Sequence, residues 1–288
     1  METAIFVARC ISGNNKRIDM FGKIRRIISL LNTISITKTI YLNFKVFPGK
    51  VAKKLPIYVG KNVDINEVYK GCIEIQKGLE IKKGMVKFGI CPIPMVSDKN
   101  LVTLLRISPK AKLILGENVK IYTGCSVIVT YKGVMSIGSD FLINQKSLLY
   151  CANSVTIGDH CRIGWEVQLY DSNFHFIYDS INHRIGNAMG RVVIGHNVWI
   201  GNRSTISKGA VIPDYGIVGS NSLVSKKLSN EIGGGIWAGM PVSLKREGFY
   251  LILNDEFQYD LFLRLSESGE KFIEKELSEK EIKSLLHL

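Results

Sequence analysis

Along most of the second half of this chain an aliphatic residue, often followed by glycine, returns every six positions. Neither an amphipathic helix nor a hairpin has that period. The column is unbroken at Ile194-Gly195, Ile200-Gly201, Ile206-Ser207, Ile212-Pro213, Val218-Gly219 and Val224-Ser225. Four residues after each of the first five stands Val198, Ser204, Ala210, Gly216 or Ser222, a second column of small residues. The same pair recurs earlier at Leu115/Val119, Ile121/Cys125, Ile137/Phe141, Ile143/Ser147, Leu149/Asn153, Ile157/Cys161 and Ile163/Val167. Such a repeat implies a triangular coil, three six-residue sides to a turn. The aliphatic residue points into a narrow prism, and the small one sits where space is tightest. One turn cannot bury its own core, whereas stacked turns can. A glycine after the aliphatic residue suits a corner where a side chain would be crowded.

The interruptions are informative as well. With Leu115 opening side one, the sides begin at Leu115, Ile121, Val127; Ile137, Ile143, Leu149; Ile157, Ile163, Leu169; Ile194, Ile200, Ile206; and Ile212, Val218, Val224. Steps from a third side to the next first side are 10, 8, 25 and 6 residues, and every other step is six. One prism edge therefore takes all the insertions. The longest, Tyr170 to Arg191, must project as a loop, and projecting loops are where such scaffolds carry chemistry.

The ends differ from the coil. Met1 to Gly60 holds eleven basic and two acidic residues, a net +9 within a total of +13, while Asp255 onward holds nine acidic and five basic, a net −4. With the excess gathered at one end, nucleic acid is not an expected partner. Ile18, Phe21, Ile24, Ile27 and Leu31 share one helical face beside Lys16, Arg17, Lys23, Arg25 and Arg26, and Phe257 to Leu288 reads as one or two amphipathic helices. The expected organisation is a basic helical segment over 1–50, the coil over 51–250 with irregular strands at its start, and C-terminal helices over 251–288. The apolar run Ile5 to Ile11 is broken by Arg9 and far too short to span a bilayer, so the expected compartment is the cytoplasm. Six scattered cysteines without a CxxC pair argue for reduced thiols and against a zinc knuckle.

The run Val192 to Arg246, with NVWIG, the GA-V-I-P step, VGSNSLVSK and the closing AGMPV in that order, resembles the hexapeptide-repeat acyltransferases, near the galactoside and maltose O-acetyltransferase group. The basic start with KTIYLNFKVFPGK and KLPIYV is similar to members found with bacterial surface-polysaccharide biosynthesis. The likeness implies a mainly β, left-handed parallel β-helix with helical appendages. It further implies a homotrimer with each active site between two prisms, acetyl-CoA as co-substrate, and no metal. By position, His175 in YDSNFHFI matches the family's catalytic histidine, and Asp171 a polar residue that orients it or touches the acceptor. Asn202 matches a small polar residue near the pantetheine arm, Ser220, Ser225 and Lys226 match later positions along it, and Lys245 and Arg246 would suit the ribose phosphate. SNEIGGGIWAGMPV departs from the pattern, with a glycine triplet where relatives often have a proline-led turn.

A thioester is already activated. The protein must position it, take a proton from the acceptor, and stabilise a tetrahedral oxyanion, and histidine suits the proton transfer because it titrates near neutrality. Each candidate also has a plainer reading: His175 as a surface loop histidine, Asp171 as a turn cap, and His160 and His196 as ordinary corner residues. His183 could contact the acceptor. Trp199 faces outward in line with Thr205, Val211, Ile217 and Leu223, for packing or for stacking on the donor. Lys226, Lys227, Lys245 and Arg246 could each be solvated. The expected reaction is O-acetylation of a sugar hydroxyl in a surface glycan or its lipid-linked precursor. An N-acetyltransferase acting on an amino-sugar nucleotide is the nearest alternative. A γ-type carbonic anhydrase, drawing zinc ligands from His160, His175, His183 and His196, lacks its H-x4-H pair here. A non-catalytic coil is the remaining class. The basic N-terminal helix would suit peripheral contact with the inner face of a membrane.

Overall fold

A computed structural model describes residues 33–92, 94, 100–229, 233–274 and 278–286. Its body is a left-handed parallel β-helix of three sheets with six, nine and seven strands, one sheet for each side of the prism. The six-residue columns give the pairing directly. Side one aligns Ile137, Ile157, Ile194 and Ile212. Side two aligns Ile143, Ile163, Ile200 and Val218, and side three Leu149, Leu169, Ile206 and Val224. These residues are at most 2% exposed, and burying each contributes about 1.5–3 kcal/mol. The stretch from Ile57 to Ile107 continues the stack, with Ile57–Val59 and Val86–Phe88 on side two, Val63–Asp64 and Thr103–Ile107 on side three, and Ile73–Ile75 on side one.

The corners explain the rest of the repeat. Glycine after the aliphatic residue is required by the approach of the next turn: a Cβ on Gly158 would lie 2.6 Å from the Gly195 carbonyl oxygen. The left-handed residue comes two positions later and is seldom glycine. Asn118, Asp140, His160, Asn197 and Tyr215 occupy it at one corner with φ between 51° and 60°, and Lys146, Glu166, Arg203 and Asn221 at the next with φ between 55° and 60°. Between those two positions runs a ladder in which each side chain accepts the amide of the preceding turn. Ser139 Oγ takes the Glu117 N–H at 3.1 Å, Asp159 Oδ1 the Ser139 N–H at 2.6 Å, His196 Nδ1 the Asp159 N–H at 3.0 Å, and Asp214 Oδ1 the His196 N–H at 2.7 Å. These bonds satisfy amides that turn away from the sheets.

Helix α1 (Ile36–Val46) closes the start of the prism, capped by Ser35 Oγ accepting from the Lys38 amide. Its inner face replaces a missing strand beside Ile57–Val59. Asn43 Nδ2 donates to the Ile57 carbonyl at 2.7 Å, Asn43 Oδ1 accepts the Ile57 amide at 3.1 Å, and Thr39 Oγ1 accepts the Val59 amide at 3.0 Å. An edge that would otherwise expose unpaired backbone is thereby covered. The short helix α2 (Gly49–Ala52) follows directly. The amphipathic helix read over Ile18 to Leu31 lies outside the described residues. At the far end Gly235–Ala238 extends side two and Ser243–Glu247 returns antiparallel to it, with Trp237 only 2% exposed over the last turn. Helices α3 (Asp255–Ser268) and α4 (Glu279–Leu286) follow, and the Leu253 amide, just before α3, donates to the Leu285 carbonyl of α4. Among the described residues no helix is long and apolar enough to cross a membrane.

One reading from the repeat needs correction. Trp199, Thr205, Val211, Ile217 and Leu223 do not form one outer face. A step of six carries the chain to the next side, so they fall on sides two, three, one, two and three. Only Ile217 shares a sheet with Trp199, as its direct neighbour, and Trp199 is 44% exposed.

Candidate active site

The long insertion leaves side three after Gln168–Tyr170 and rejoins side one at Arg191–Ile194. Its two ends are tied together by the Gly190 amide to the Asp171 carbonyl at 2.8 Å, the Asn173 amide to the Ala188 carbonyl at 2.8 Å, and a bridge between Ser172 and Met189. Lys208, from the next turn, donates to the Asn187 carbonyl at 2.7 Å and supports the returning strand. The outer part is a hairpin, Tyr178–Asp179 against Arg184–Ile185. Asp179 organises its turn, accepting from the Ile181 and Asn182 amides, Asn182 Nδ2 and Arg184 Nε. Those bonds, the Asn182 side chain first, hold its carboxyl below the usual carboxylate value.

Asp171 sits at the loop root with its side chain fully buried. Its carboxylate is committed to backbone: Oδ1 accepts the Ala152 amide at 2.7 Å, and Oδ2 the Asn153 and Ser154 amides at 2.8 and 2.7 Å. The Cys151 thiol points at the same Oδ2 from 3.6 Å. Burial, and then the Asp171 charge, push that thiol up to about 12. Asp171, matched by resemblance to a residue that orients the histidine or touches the acceptor, is buried and bonded to these backbone amides. Its partners all lie in 151–154, because the eight-residue step from Leu149 to Ile157 leaves extra amides at this edge.

His175 is exposed on the rising limb of the loop. The residue before it is anchored. Phe174 has φ +62°, a left-handed conformation unfavourable for an aromatic residue. Its amide donates to Ser172 Oγ at 3.0 Å, and its ring packs on Tyr150 and Tyr170 with centroids 4.8 and 5.9 Å away. Tyr150 and Tyr170 are register partners on side three. Each follows a core leucine by one residue, so the column itself carried the signal that places them side by side under the loop. Nothing in the sequence announces the left-handed turn at Phe174.

The other candidate residues are spread over the prism. Asn202 and Ser220 meet at the corner between sides two and three, where the Ser220 hydroxyl donates to Asn202 Oδ1 at 3.1 Å. Ser225, Lys226 and Lys227 are exposed after the side-three strand Leu223–Val224, on the edge that also bears the loop. Lys245 and Arg246 are exposed on Ser243–Glu247, beyond side two. Within one chain, then, His175 and the Asn202–Ser220 pair lie on the two opposite margins of side three. His160 Nδ1 pairs with Asp140 at 3.2 Å, His196 Nδ1 is occupied by the Asp159 amide in the corner ladder, and His183 Nδ1 meets the Tyr178 hydroxyl at 3.1 Å. Among the described residues no three His, Cys, Asp or Glu side chains are grouped to hold a metal ion.

No family model matches the chain. Galactoside O-acetyltransferase of Escherichia coli (strain K12) is 29% identical to it over 133 residues, 46% of this chain and 63% of that protein. The chain is similar to hexapeptide-repeat acyltransferases. It matches somewhat less than two thirds of that relative's length. Solved structures similar to this hexapeptide-repeat coil include the polySia-specific acetyltransferase NeuO, with a TM-score of 0.43 and 18% identity over 72% of this chain and 87% of that one. AntD, an N-acyltransferase from Bacillus cereus, gives 0.42 and 16% over 77% and 98%. A maltose O-acetyltransferase from Clostridium difficile 630 gives 0.33 and 16% over 79% and 88%.

Proposed function

We propose that this protein is an acetyltransferase that moves an acetyl group from acetyl-CoA to a hydroxyl of a sugar, within a surface polysaccharide or its precursor. The observation that carries this reading is the single long excursion at 170–191, rooted by Asp171 and presenting His175 from a fixed turn, on a chain similar to a galactoside O-acetyltransferase. In the proposed step a ring nitrogen of His175 takes the acceptor hydroxyl proton as the oxygen attacks the thioester carbonyl carbon. The tetrahedral intermediate collapses with cleavage of the carbon–sulfur bond, and the imidazolium returns its proton to the departing thiolate. No acyl-enzyme is needed. The separation of His175 from Asn202 and Ser220 across side three supports a homotrimer, in which the loop margin of one prism meets the Asn202 margin of the next. Trp199, Asn202, Ser220, Ser225 and Lys226 would line the donor groove, with Lys245 and Arg246 toward the coenzyme phosphates. The basic N-terminal segment supports a place at the inner face of the membrane, where a lipid-linked acceptor would lie.

The test is thiol release from acetyl-CoA with a panel of glycans and amino-sugar nucleotides. A hydroxyl acceptor supports the reading, an amine acceptor replaces it with N-acetylation, and no release with either overturns it. His175→Ala should lower turnover roughly 10²–10⁴-fold with an unchanged melting temperature.

A further inference from the structure

We propose that the outer face of α1 is a docking surface for an anionic lipid bilayer. The inference gives a physical surface to the membrane contact proposed above and rests on that part of the reading, not on acyl transfer. Ile36, Ile40 and Phe44 follow one another at four-residue steps and form a single stripe along the helix. They are 66%, 47% and 51% exposed, and Tyr41 beside them is 49% exposed. Three large apolar side chains aligned in water on one short helix are a patch that a partner is expected to cover. The stripe cannot roll inward. The opposite face is held by the bonds of Thr39 and Asn43 to the backbone of Ile57 and Val59, and turning the helix would strand those amides.

Charge identifies the occupant. Among the described residues of α1, α2 and the turn beside them, Lys38, Lys45, Lys50, Lys53, Lys54 and Lys61 are cationic, against Asp64 in the hollow that Lys38, Tyr41 and Lys61 line. Lys45 lies on the row beside the stripe, one turn after Tyr41, its Nζ 2.7 Å from the Tyr41 hydroxyl and 5.0 Å from that ring's centroid. Lys50, Lys53 and Lys54 are exposed on and just after α2, which packs against α1. An apolar stripe with cations around it matches a bilayer surface, where aliphatic and aromatic groups enter the interface and lysines meet lipid phosphates. A second copy of the same face would bring like charges together. Residues 1–32 carry Lys16, Arg17, Lys23, Arg25 and Arg26 alongside their own apolar positions, and covering α1 with them would do the same.

Cosedimentation of the full chain with phosphatidylcholine vesicles, with and without phosphatidylglycerol, tests this. The wild type is expected to bind only the anionic vesicles, and less as salt rises. I36S/I40S/F44S should weaken binding about 10–100-fold, and K50E/K53E/K54E by a similar factor, with melting temperature and turnover on a soluble acceptor unchanged. Binding by the wild type that both variants retain overturns the α1 surface and leaves a membrane contact elsewhere. No vesicle binding by the wild type removes the membrane contact as well. Loss of self-association in the serine variant without loss of vesicle binding would assign the stripe to a second copy.

Discussion

Asp171→Ala separates an anchoring carboxylate from one that orients a histidine. The side chain is fully buried and holds three successive amides at 2.7–2.8 Å. Removing it strands the Ala152 amide, whose residue is 4% exposed, at a cost of about 1–3 kcal/mol. Ser154 is half-buried and loses part of a charge-assisted bond, while Asn153 is exposed and can turn to water. The sum is about 3 kcal/mol, which in a coil of this size lowers the melting temperature by roughly 6–12 °C. Asp171→Asn is the sharper variant. It keeps the shape, but its amide group must set a donor against donors, and about 2 kcal/mol should be lost. Thermal and guanidinium unfolding give the comparison, and amide exchange at residues 152–154 should quicken first. If Asp171→Asn melts within about 1 °C of wild type while turnover collapses, the anchoring assignment is wrong and the carboxylate acts on the imidazole.

Acid should weaken the first corner. Burial by itself raises the Asp140 carboxyl, but the Arg162 guanidinium, bonded to it at 2.8 Å, and then His160 outweigh burial and hold it below the ordinary 3.8. A depressed folded value contributes stability above the unfolded carboxylate value that disappears as pH falls through the folded one. The stability gap between wild type and Asp140→Asn should therefore narrow on acidification below about pH 4, and a constant gap would contradict the assignment. Thiol titration should find Cys72, Cys125, Cys151 and Cys161 silent until the chain unfolds, since all four are buried and burial pushes the last three up to about 12; rapid labelling of any of them in the native protein would contradict the packing. Gly158→Ala, whose new carbon would meet the Gly195 carbonyl at 2.6 Å, should cost about 2 kcal/mol. Gly49→Ala, with open space around it, is the control and should leave stability unchanged or slightly raised.

The architecture was legible because its period is a direct statement about packing. Once every sixth residue must enter a narrow prism, the pairing of Ile137 with Ile157, Ile194 and Ile212 follows by counting, and so does the edge that bears the loop. Corner chemistry was less legible, because the left-handed positions are filled by Asp140, His160, Arg203 and Tyr215 as readily as by asparagine. There the backbone is forced by the stacking of turns and not selected by local preference. Trp199 was misplaced for a related reason: a period that fixes depth in the coil says nothing of side until turns are counted. Asp171 was placed by likeness to a family position, but its partners are backbone amides eighteen or so residues earlier, which no side-chain motif reveals.

The loop and the Ser225–Lys227 segment share one margin of side three, and Asn202 with Ser220 holds the other, with a whole sheet between them. On one prism, then, His175 and the Asn202–Ser220 pair stand a full side apart. Either those two polar residues are only a corner hydrogen bond, or the loop margin of one copy faces the Asn202 margin of another. The exposed apolar residues of the loop, Phe176, Ile177, Ile181 and Ile185 at 65–87%, favour the second, because a lone coil would leave them in water beside its histidine. Turnover that survives dilution to a monomer would separate the two readings, and with it the donor groove from the corner.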